Sequence, residues 1–426
     1  MKLKISYKFL SIYIYIFMAY SYIYYTSIIS NDGSEEPSHE AYKEPNLIFS
    51  EDRSEPILEN GEEYEMAVTS AKMDLKTLPI FVPTIKYNSG SNLSESDRLE
   101  TIYEVTLSFA IDSDVYASTQ AVSFKPQDQT ISDSPPDFIN GYANYSTGYY
   151  NLYNYEQFFT RVNLCIRTCF LTLQDVVKTY NGGKLPDSYS GLESSGGYEI
   201  PYFIFDKESG LIYLNSPKST FDDTNTYYFK IHLNRALYRL FNSLPFILQK
   251  DTYKMLTDED SQTETDLTLF KLNLSNFQNS NEVDIYPHYM SGISAKAKST
   301  HQLIYQDYET LTSWSPVESI VLTAPLLPVQ SNKVSANYRY RDGFPVSTNT
   351  EKLENEILEF RTDQAVPGII YEPKIHRWMH ITSSGGLKQI NFNLYYRFKY
   401  SSELIPIKAG IGSSLAVKLV FRRLKK

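Results

Sequence analysis

The sequence predicts a mainly β protein, an antiparallel β-sandwich with long loops and a few helices. Three observations predict this fold class: a high aromatic content, short apolar runs that recur between turn residues, and few helical patterns. Among its 426 residues the chain has 37 tyrosines and 23 phenylalanines, and aromatic residues favour strands. Hydrophobic residues make up 42%, which suffices for a sizeable core and excludes a wholly disordered chain.

The first segment, residues 1–30, is apolar. Three lysines precede the uncharged run Phe9–Tyr25, an order typical of a signal anchor. Tyrosine, however, prefers the membrane interface to the hydrocarbon centre. Two alternatives therefore stay open beside membrane targeting: a translation artefact upstream of a start at Met18, and a short buried strand.

The second segment, residues 31–76, is acidic. Between residues 31 and 66 there are twelve acidic residues against Lys43 and Arg53. Such a composition, with several prolines, is typical of a solvated chain. We expect this segment to be a disordered arm.

The third segment, residues 77–426, is expected to form the β-sandwich. Its strongest strand pattern is Gln389–Phe398, where every second residue is apolar, which indicates a half-buried strand. The same alternation predicts strands at 102–111 and 415–421. The apolar runs 200–205 and 211–214 flank a five-residue hairpin loop that ends in Gly210, and 226–233 and 317–323 are further predicted strands. The polar stretch 251–280 is expected to be a surface loop or linker.

Helices are expected to be inserted near residues 155–181 and 234–244. Asn154 and Gln157 form a capping box ahead of the first helix. Apolar residues then recur at helical spacing, which predicts one buried stripe: Phe158, Val162, Ile166, Cys169, Leu173, Val176 and Tyr180. A third, charged helix is expected over residues 351–360.

No pattern in the sequence carries a catalytic, cofactor-binding or metal-binding signature. Cys165 and Cys169 lie on the apolar stripe of the first helix and are interpreted as buried thiols, because no further ligands stand nearby. His376 and His380 have the spacing of a zinc motif but lack its intervening glutamate. We therefore expect no enzyme activity, no metal and no cofactor.

Two small basic clusters are candidate contacts for nucleic acid or a partner. They comprise Arg339, Arg341, Arg422, Arg423, Lys425 and Lys426. Arginines between tyrosines can hold phosphates and stack on bases. The alternative is a solvated strand face and a frayed tail.

Three segments together resemble coat proteins of small eukaryotic viruses and virus-derived elements. They are the tyrosine-rich run Gly148–Phe159, the segment Ser313–Thr323 with Leu327–Val329 after it, and the terminal pair Ile390–Tyr396 and Leu415–Phe421. The resemblance implies a jelly-roll β-sandwich without an active site that builds a shell through its sandwich and loop contacts.

The same resemblance implies the partners and the location of the chain. It would associate with copies of itself or other capsid subunits, with packaged nucleic acid as a further partner, in the virion and host cell. One departure is the acidic rather than basic N-terminal arm, which keeps a vertex or accessory role open. The alternative function is a secreted or membrane-anchored β-sandwich binding or adhesion protein, with a membrane partner only if residues 9–25 are a true anchor.

Overall fold

The computed structural model describes two compact units, which are treated separately. Unit 1 comprises residues 1–79 and 316–426, and unit 2 comprises residues 80–315. The described residues are 22–30, 46–74, 78–86, 99–111, 113–127, 135–138, 141–180, 200–206, 209–217, 221, 228–256, 262–273, 278–279, 301–329, 338–341, 344–347, 356–361, 368–399, 404–408, 410 and 412–424. Within unit 1 the segment before residue 79 and the segment after residue 316 build one fold.

Unit 1 consists of strands in two antiparallel sheets and one small hairpin. Its strands are β1 (Tyr22–Ser30), β2 (Ile48–Asp52), β3 (Tyr64–Asp74), β13 (Val317–Thr323), β14 (Tyr338–Arg341), β15 (Phe344–Ser347), β16 (Glu356–Phe360), β17 (Gly368–Tyr371), β18 (Met379–His380), β19 (Gln389–Phe398), β20 (Leu404–Pro406) and β21 (Ser414–Arg423). The numbering leaves β4 to β12 for unit 2, which lies between β3 and β13 in the sequence.

The strand order identifies the topology of unit 1. One sheet has the order β1-β21-β3-β17, with β18 also paired to β3, and the other has the order β16-β13-β19-β2, with β20 also paired to β19. The eight strands in these two orders are, along the chain, β1, β2, β3, β13, β16, β17, β19 and β21. Renumbered 1 to 8 in that sequence, the sheets have the orders 1-8-3-6 and 5-4-7-2. This is the eight-stranded, double Greek-key jelly roll, as the sequence analysis predicts.

The alternating apolar residues from which the sequence predicts β19 and β21 form part of the core of the jelly roll. On β19 the inward residues are all buried: Ile390, Phe392, Leu394, Tyr396 and Phe398. On β21, Leu415, Val417, Leu419 and Phe421 are buried in the same way, whereas Lys418 is exposed. The predicted facing of both strands is confirmed.

The interpretation of residues 31–76 as a disordered arm is wrong for residues 46–74. This part of the chain contributes β2 and β3, which pair with β19 and β21 respectively. The acidic residues misled the interpretation because most of those that the structure describes here lie between or beside the strands, such as Glu55, Glu59 and Glu62. Met66, Val68 and Met73 of β3, for example, lie in the core. Residues 31–45 lie outside the described part.

The last residues of the apolar run Phe9–Tyr25 belong to a sheet. Tyr22–Tyr25 open β1, which pairs with β21 along its whole length. β1 is an edge strand rather than a buried one, since only Tyr25 and Ser27 of its side chains are buried. Residues 1–21 lie outside the described part.

Unit 2 combines a closed five-stranded barrel with a four-stranded sheet and a long helix. The barrel order is β10-β8-β4-β5-β9 and the sheet order is β11-β12-β7-β6. The elements are β4 (Glu100–Ile111), β5 (Asp114–Ser123), α1 (Tyr155–Tyr180), β6 (Tyr202–Phe205), β7 (Ile212–Pro217), β8 (Phe229–Leu233), α2 (Arg235–Leu240), β9 (Phe246–Leu256), β10 (Gln262–Leu272), β11 (Gln278–Asn279) and β12 (His301–Tyr305).

Helix α1 begins where the sequence predicts. The side chain of Asn154 accepts a hydrogen bond from the backbone N–H of Glu156 at 2.9 Å, which satisfies one of the free amides of the first turn. The predicted stripe is buried as far as Leu173. Helix α2 is capped likewise by Asn234, whose side chain accepts from Leu237 N at 3.0 Å.

An aromatic cluster around Trp314 forms the core of unit 2 beside α1. Trp314 is 1% exposed. Its ring centroid lies 5.2 Å from that of Phe81 and 5.7 Å from those of Phe158 and Phe241. Its indole N–H donates to the carbonyl oxygen of Leu240 at 3.1 Å, so the one polar atom of the ring is paired.

Two sequence-based assignments of secondary structure are wrong. Most of the stretch 251–280 is not a loop: β9 and β10 form a hairpin there, with Leu256 opposite Gln262. One face of this hairpin is solvated, so its composition resembles that of a loop. Residues 356–360, expected to be helical, form β16, which pairs with β13.

The interior of the barrel contains a buried histidine. His232 has no exposed surface, and its Nε2 lies 2.8 Å from Ser108 Oγ. Desolvation lowers the pKa of His232 to about 3, with Lys230 and Lys271 adding repulsion. The imidazole is therefore neutral in the folded chain at neutral pH.

We predict that this histidine makes unit 2 sensitive to acid. Because the unfolded chain binds a proton near pH 6.5 and the folded chain only near pH 3, stability is complete above pH 6.5 and falls below it, by about 1.4 kcal/mol per pH unit. The measurement is urea unfolding from pH 7.5 to pH 5, followed by Trp314 fluorescence in a Trp378→Phe background. His232→Gln should show a shallower pH dependence, and identical slopes would contradict the prediction.

Candidate assembly interface

The basic end of β21 is paired with two acidic residues, Glu65 of β3 and Glu63, which immediately precedes β3. Arg422 donates from Nε and Nη2 to Glu65 Oε2 at 2.9 and 2.6 Å. Arg423 donates from Nε to Glu63 Oε2 at 2.9 Å, and this hydrogen bond raises the pKa of Arg423. The antiparallel register sets both pairs, because Arg422 lies opposite Glu65 and Arg423 opposite Tyr64.

An aromatic ring adds a second contact to one of these arginines. The guanidinium carbon of Arg422 lies 3.9 Å from the centroid of the Trp378 ring, a cation–π distance. Trp378 immediately precedes β18, which pairs with β3. Arg422 therefore ties β21, β3 and the segment before β18 together.

These contacts bear on the predicted nucleic-acid sites. The charges of Arg422 and Arg423 are compensated by carboxylates of the same sheet. Lys425 and Lys426 lie outside the described residues. Arg339 and Arg341 belong to β14, which forms a hairpin with β15, and the structure describes only their backbone. The contact of these residues with nucleic acid stays a prediction.

The edge strand β1 of this sheet exposes apolar side chains. Tyr22, Tyr24 and Ile28 of β1 are 49%, 74% and 69% exposed. Beyond β21, β1 has no further strand partner among the described residues. An exposed apolar edge strand is a template for contact with another chain. We call Tyr22, Tyr24 and Ile28 the β1 edge patch.

Sequence reasoning missed the β1 edge patch. In the run FLSIYIYIFMAYSYIYY nearly every residue is apolar or aromatic, so no alternation marks which side chains face outward.

The inward residue Tyr25 contacts the opposite sheet through a hydrogen bond from its hydroxyl to Glu51. Burial and this carboxylate raise the pKa of Tyr25.

The structure shows the surroundings of the residues that the sequence offered for metal or thiol chemistry. Cys165 and Cys169 are free and buried, and burial raises the pKa of each thiol to about 12, which confirms their interpretation as buried thiols. Within the described ranges, no group of three or more His, Cys, Asp or Glu side chains could hold a metal ion.

No helix in the described part of the chain is both long and apolar enough to cross a membrane.

The comparison with protein families decides the identity of the chain. The family described as Sputnik minor capsid protein V18/19 matches residues 23–423. The chain belongs to this family. The match begins at β1 and ends at the last residue of β21, so it includes the whole jelly roll and unit 2. Among curated protein sequences no match is found.

Solved structures share the fold. A chain in the 3.5 Å cryo-EM structure of the Sputnik virophage matches with a TM-score of 0.65 at 19% identity, covering 94% of this chain and 98% of that one. The mavirus penton protein matches with a TM-score of 0.55 at 17% identity, covering 95% of this chain and 100% of that one.

The family makes the chain a structural subunit of a viral capsid, located in the virion. The resemblance to jelly-roll coat proteins is thereby confirmed, both for the fold and for the function. The family consists of structural proteins, in agreement with the absence of a catalytic pattern in the sequence.

We predict that Arg422 and Glu65 stabilise the sheet as a pair. Their side chains are 26% and 23% exposed, so solvent screening limits the coupling free energy to about 0.5–1 kcal/mol. Arg422→Gln, Glu65→Gln and the double variant should therefore show non-additive losses of unfolding free energy, measured by calorimetry. Additive losses would mean that Arg422 contributes only through Trp378.

Proposed function

We propose that this capsid subunit is a penton, the building block of the fivefold vertices of the shell, and that it has no enzymatic activity. Three observations support the vertex position. The family description names a minor capsid protein, the chain shares its fold with the mavirus penton protein over nearly its full length, and a minor component suits the few vertices of a shell. The fold shared with the mavirus penton protein is the observation that carries the proposal.

We also propose that the β1 edge patch contacts a neighbouring capsid subunit. The patch lies on a strand that has β21 as its one strand neighbour in the described part of the chain, and its apolar side chains are exposed. Burying such a surface in an assembly removes apolar area from water. The interfaces of a closed ring of five copies are head-to-tail, so each copy would bury its β1 edge patch against a different surface of the next copy.

The oligomeric state of the purified chain tests the vertex assignment. Native mass spectrometry and analytical ultracentrifugation should detect a species of five copies. Monomers at all concentrations, or rings of another number, would contradict the assignment to vertices but not the capsid family.

A matched pair of variants tests the patch. Tyr24→Glu with Ile28→Glu should abolish the five-copy species and leave the melting temperature of the monomer nearly unchanged, because both side chains are exposed and surface changes usually cost less than about 0.5 kcal/mol. Ile375→Glu is the control, since Ile375 is 86% exposed and lies outside β1. If Ile375→Glu abolished assembly to the same extent, the β1 edge patch would have no specific role in assembly.

Contact with packaged nucleic acid is a separate proposal. Glutamate partners reduce the charge that Arg422 and Arg423 can offer, so Arg339, Arg341, Lys425 and Lys426 would supply most of it. Affinity for nucleic acid scales with the number of phosphates neutralised. Glutamine at these four positions should lower the nucleic-acid content and salt sensitivity of particles; unchanged values of both would show that they are only solvated.

A further inference from the structure

The barrel of unit 2 has an interior face that carries polar residues. Helix α1 packs on the other face of the barrel wall: the Phe170 ring lies 5.0 Å from that of Phe229 on β8, and Cys169 Sγ donates to Val105 O on β4. Strand alternation then turns Ser108 of β4 and His232 of β8 towards the interior.

Two polar atoms in this interior have no partner. His232 Nδ1 and the Tyr253 hydroxyl are buried and form no hydrogen bond with any described residue. The two rings are neighbours, with centroids 5.8 Å apart and planes at 78°. Each unpaired buried polar group costs about 1–3 kcal/mol, so two adjacent ones indicate a polar occupant.

Two lysines, Lys230 near the start of β8 and Lys271 near the end of β10, add positive charge to this interior. Lys271 lies opposite His232 in the β8–β10 ladder, and Lys230 lies opposite Ser108 in the β4–β8 ladder. Both ammonium nitrogens lie 5.7 Å from the centroid of the Tyr228 ring. Neither ammonium group forms an ion pair with a carboxylate in the described part of the chain.

The carboxylate of Asp251 on β9 carries a negative charge close to Tyr253, where it adds to burial in raising the pKa of that tyrosine. Asp251 on β9 accepts hydrogen bonds from Gln249 Nε2 at 3.2 Å and from the backbone N–H of Thr252 at 3.0 Å. Its carboxylate is thus engaged within β9. The barrel end that contains Tyr228 keeps two ammonium groups and two unpaired hydrogen-bonding atoms for one occupant.

We propose that this end of the barrel binds a small oxyanion of the inorganic phosphate class. Lys230 and Lys271 supply the opposite charge, and the Tyr253 hydroxyl donates a hydrogen bond. When Ser108 donates its hydroxyl proton to Nε2, the neutral His232 carries its proton on Nδ1 and donates as well. The two ammonium groups, the Tyr253 hydroxyl and His232 Nδ1 then all have a partner. Hydrogen bonds from an ammonium group to an anion are stronger than those between neutral groups.

Isothermal titration of the full chain with inorganic phosphate tests this proposal. In chloride buffer at pH 7.5 and constant ionic strength, the wild type should bind one phosphate per chain with a saturable signal. Lys230→Gln with Lys271→Gln should weaken binding by about tenfold or more, because two charge-assisted contacts are lost. Lys250→Gln with Arg235→Gln is the matched control: it removes two exposed positive charges elsewhere in unit 2 and should leave the affinity unchanged.

Three outcomes would overturn the proposal. The first is that the wild type shows no saturable phosphate binding. The second is that the Lys250/Arg235 control loses as much phosphate affinity as the Lys230/Lys271 variant. If the lysine double variant loses the circular dichroism spectrum of the wild type, Tyr253→Phe replaces it, since this change keeps the buried ring and removes only the hydroxyl. Unchanged phosphate affinity in Tyr253→Phe would be the third.

Discussion

The structure of unit 1 depends on one constraint: the C-terminal strand β21 is held between β1 and β3. Pairing with β1 brings together residues up to 400 positions apart, as in Tyr22 opposite Arg422. Pairing with β3 joins the chain on the two sides of unit 2. Since non-local pairs form only after long loops have closed, the sheet is completed only when the last residues are present.

This closure explains the ion pairs at the end of β21. Glu63 and Glu65 precede Arg422 and Arg423 by more than 350 residues, yet the register of β3 and β21 places them side by side. The acidic N-terminal segment and the basic C-terminal end therefore compensate one another within a single sheet. Two of the twelve acidic residues between positions 31 and 66 are thus compensated inside the jelly roll.

Local patterns were predicted well from the sequence, and long-range partners were not. The alternation of Gln389–Phe398 and the capping of α1 by Asn154 depend on neighbouring residues, so the sequence contains the needed information. The strands β2 and β3 were missed because acidic residues around them dominate the composition of the segment 31–76. The hairpin β9–β10 was misread because a strand solvated on one face has the composition of a loop. The β1 edge patch could not be distinguished in a run where nearly every residue is apolar. The partners of Arg422 and of His232 depend on strand register, which the sequence alone does not reveal.

The central claim is that a jelly roll closed by β21 presents β1 to a neighbouring capsid subunit. Hydrogen–deuterium exchange of dissociated subunits and of assembled particles tests it most directly, because amide exchange reports which strand edges are paired. In dissociated subunits, peptides from 414–423 should exchange slowly and peptides from 22–30 faster. In particles the 22–30 peptides should become protected while 414–423 stays unchanged. Rapid exchange of 414–423 in the subunit, or no added protection of 22–30 in the particle, would contradict the account.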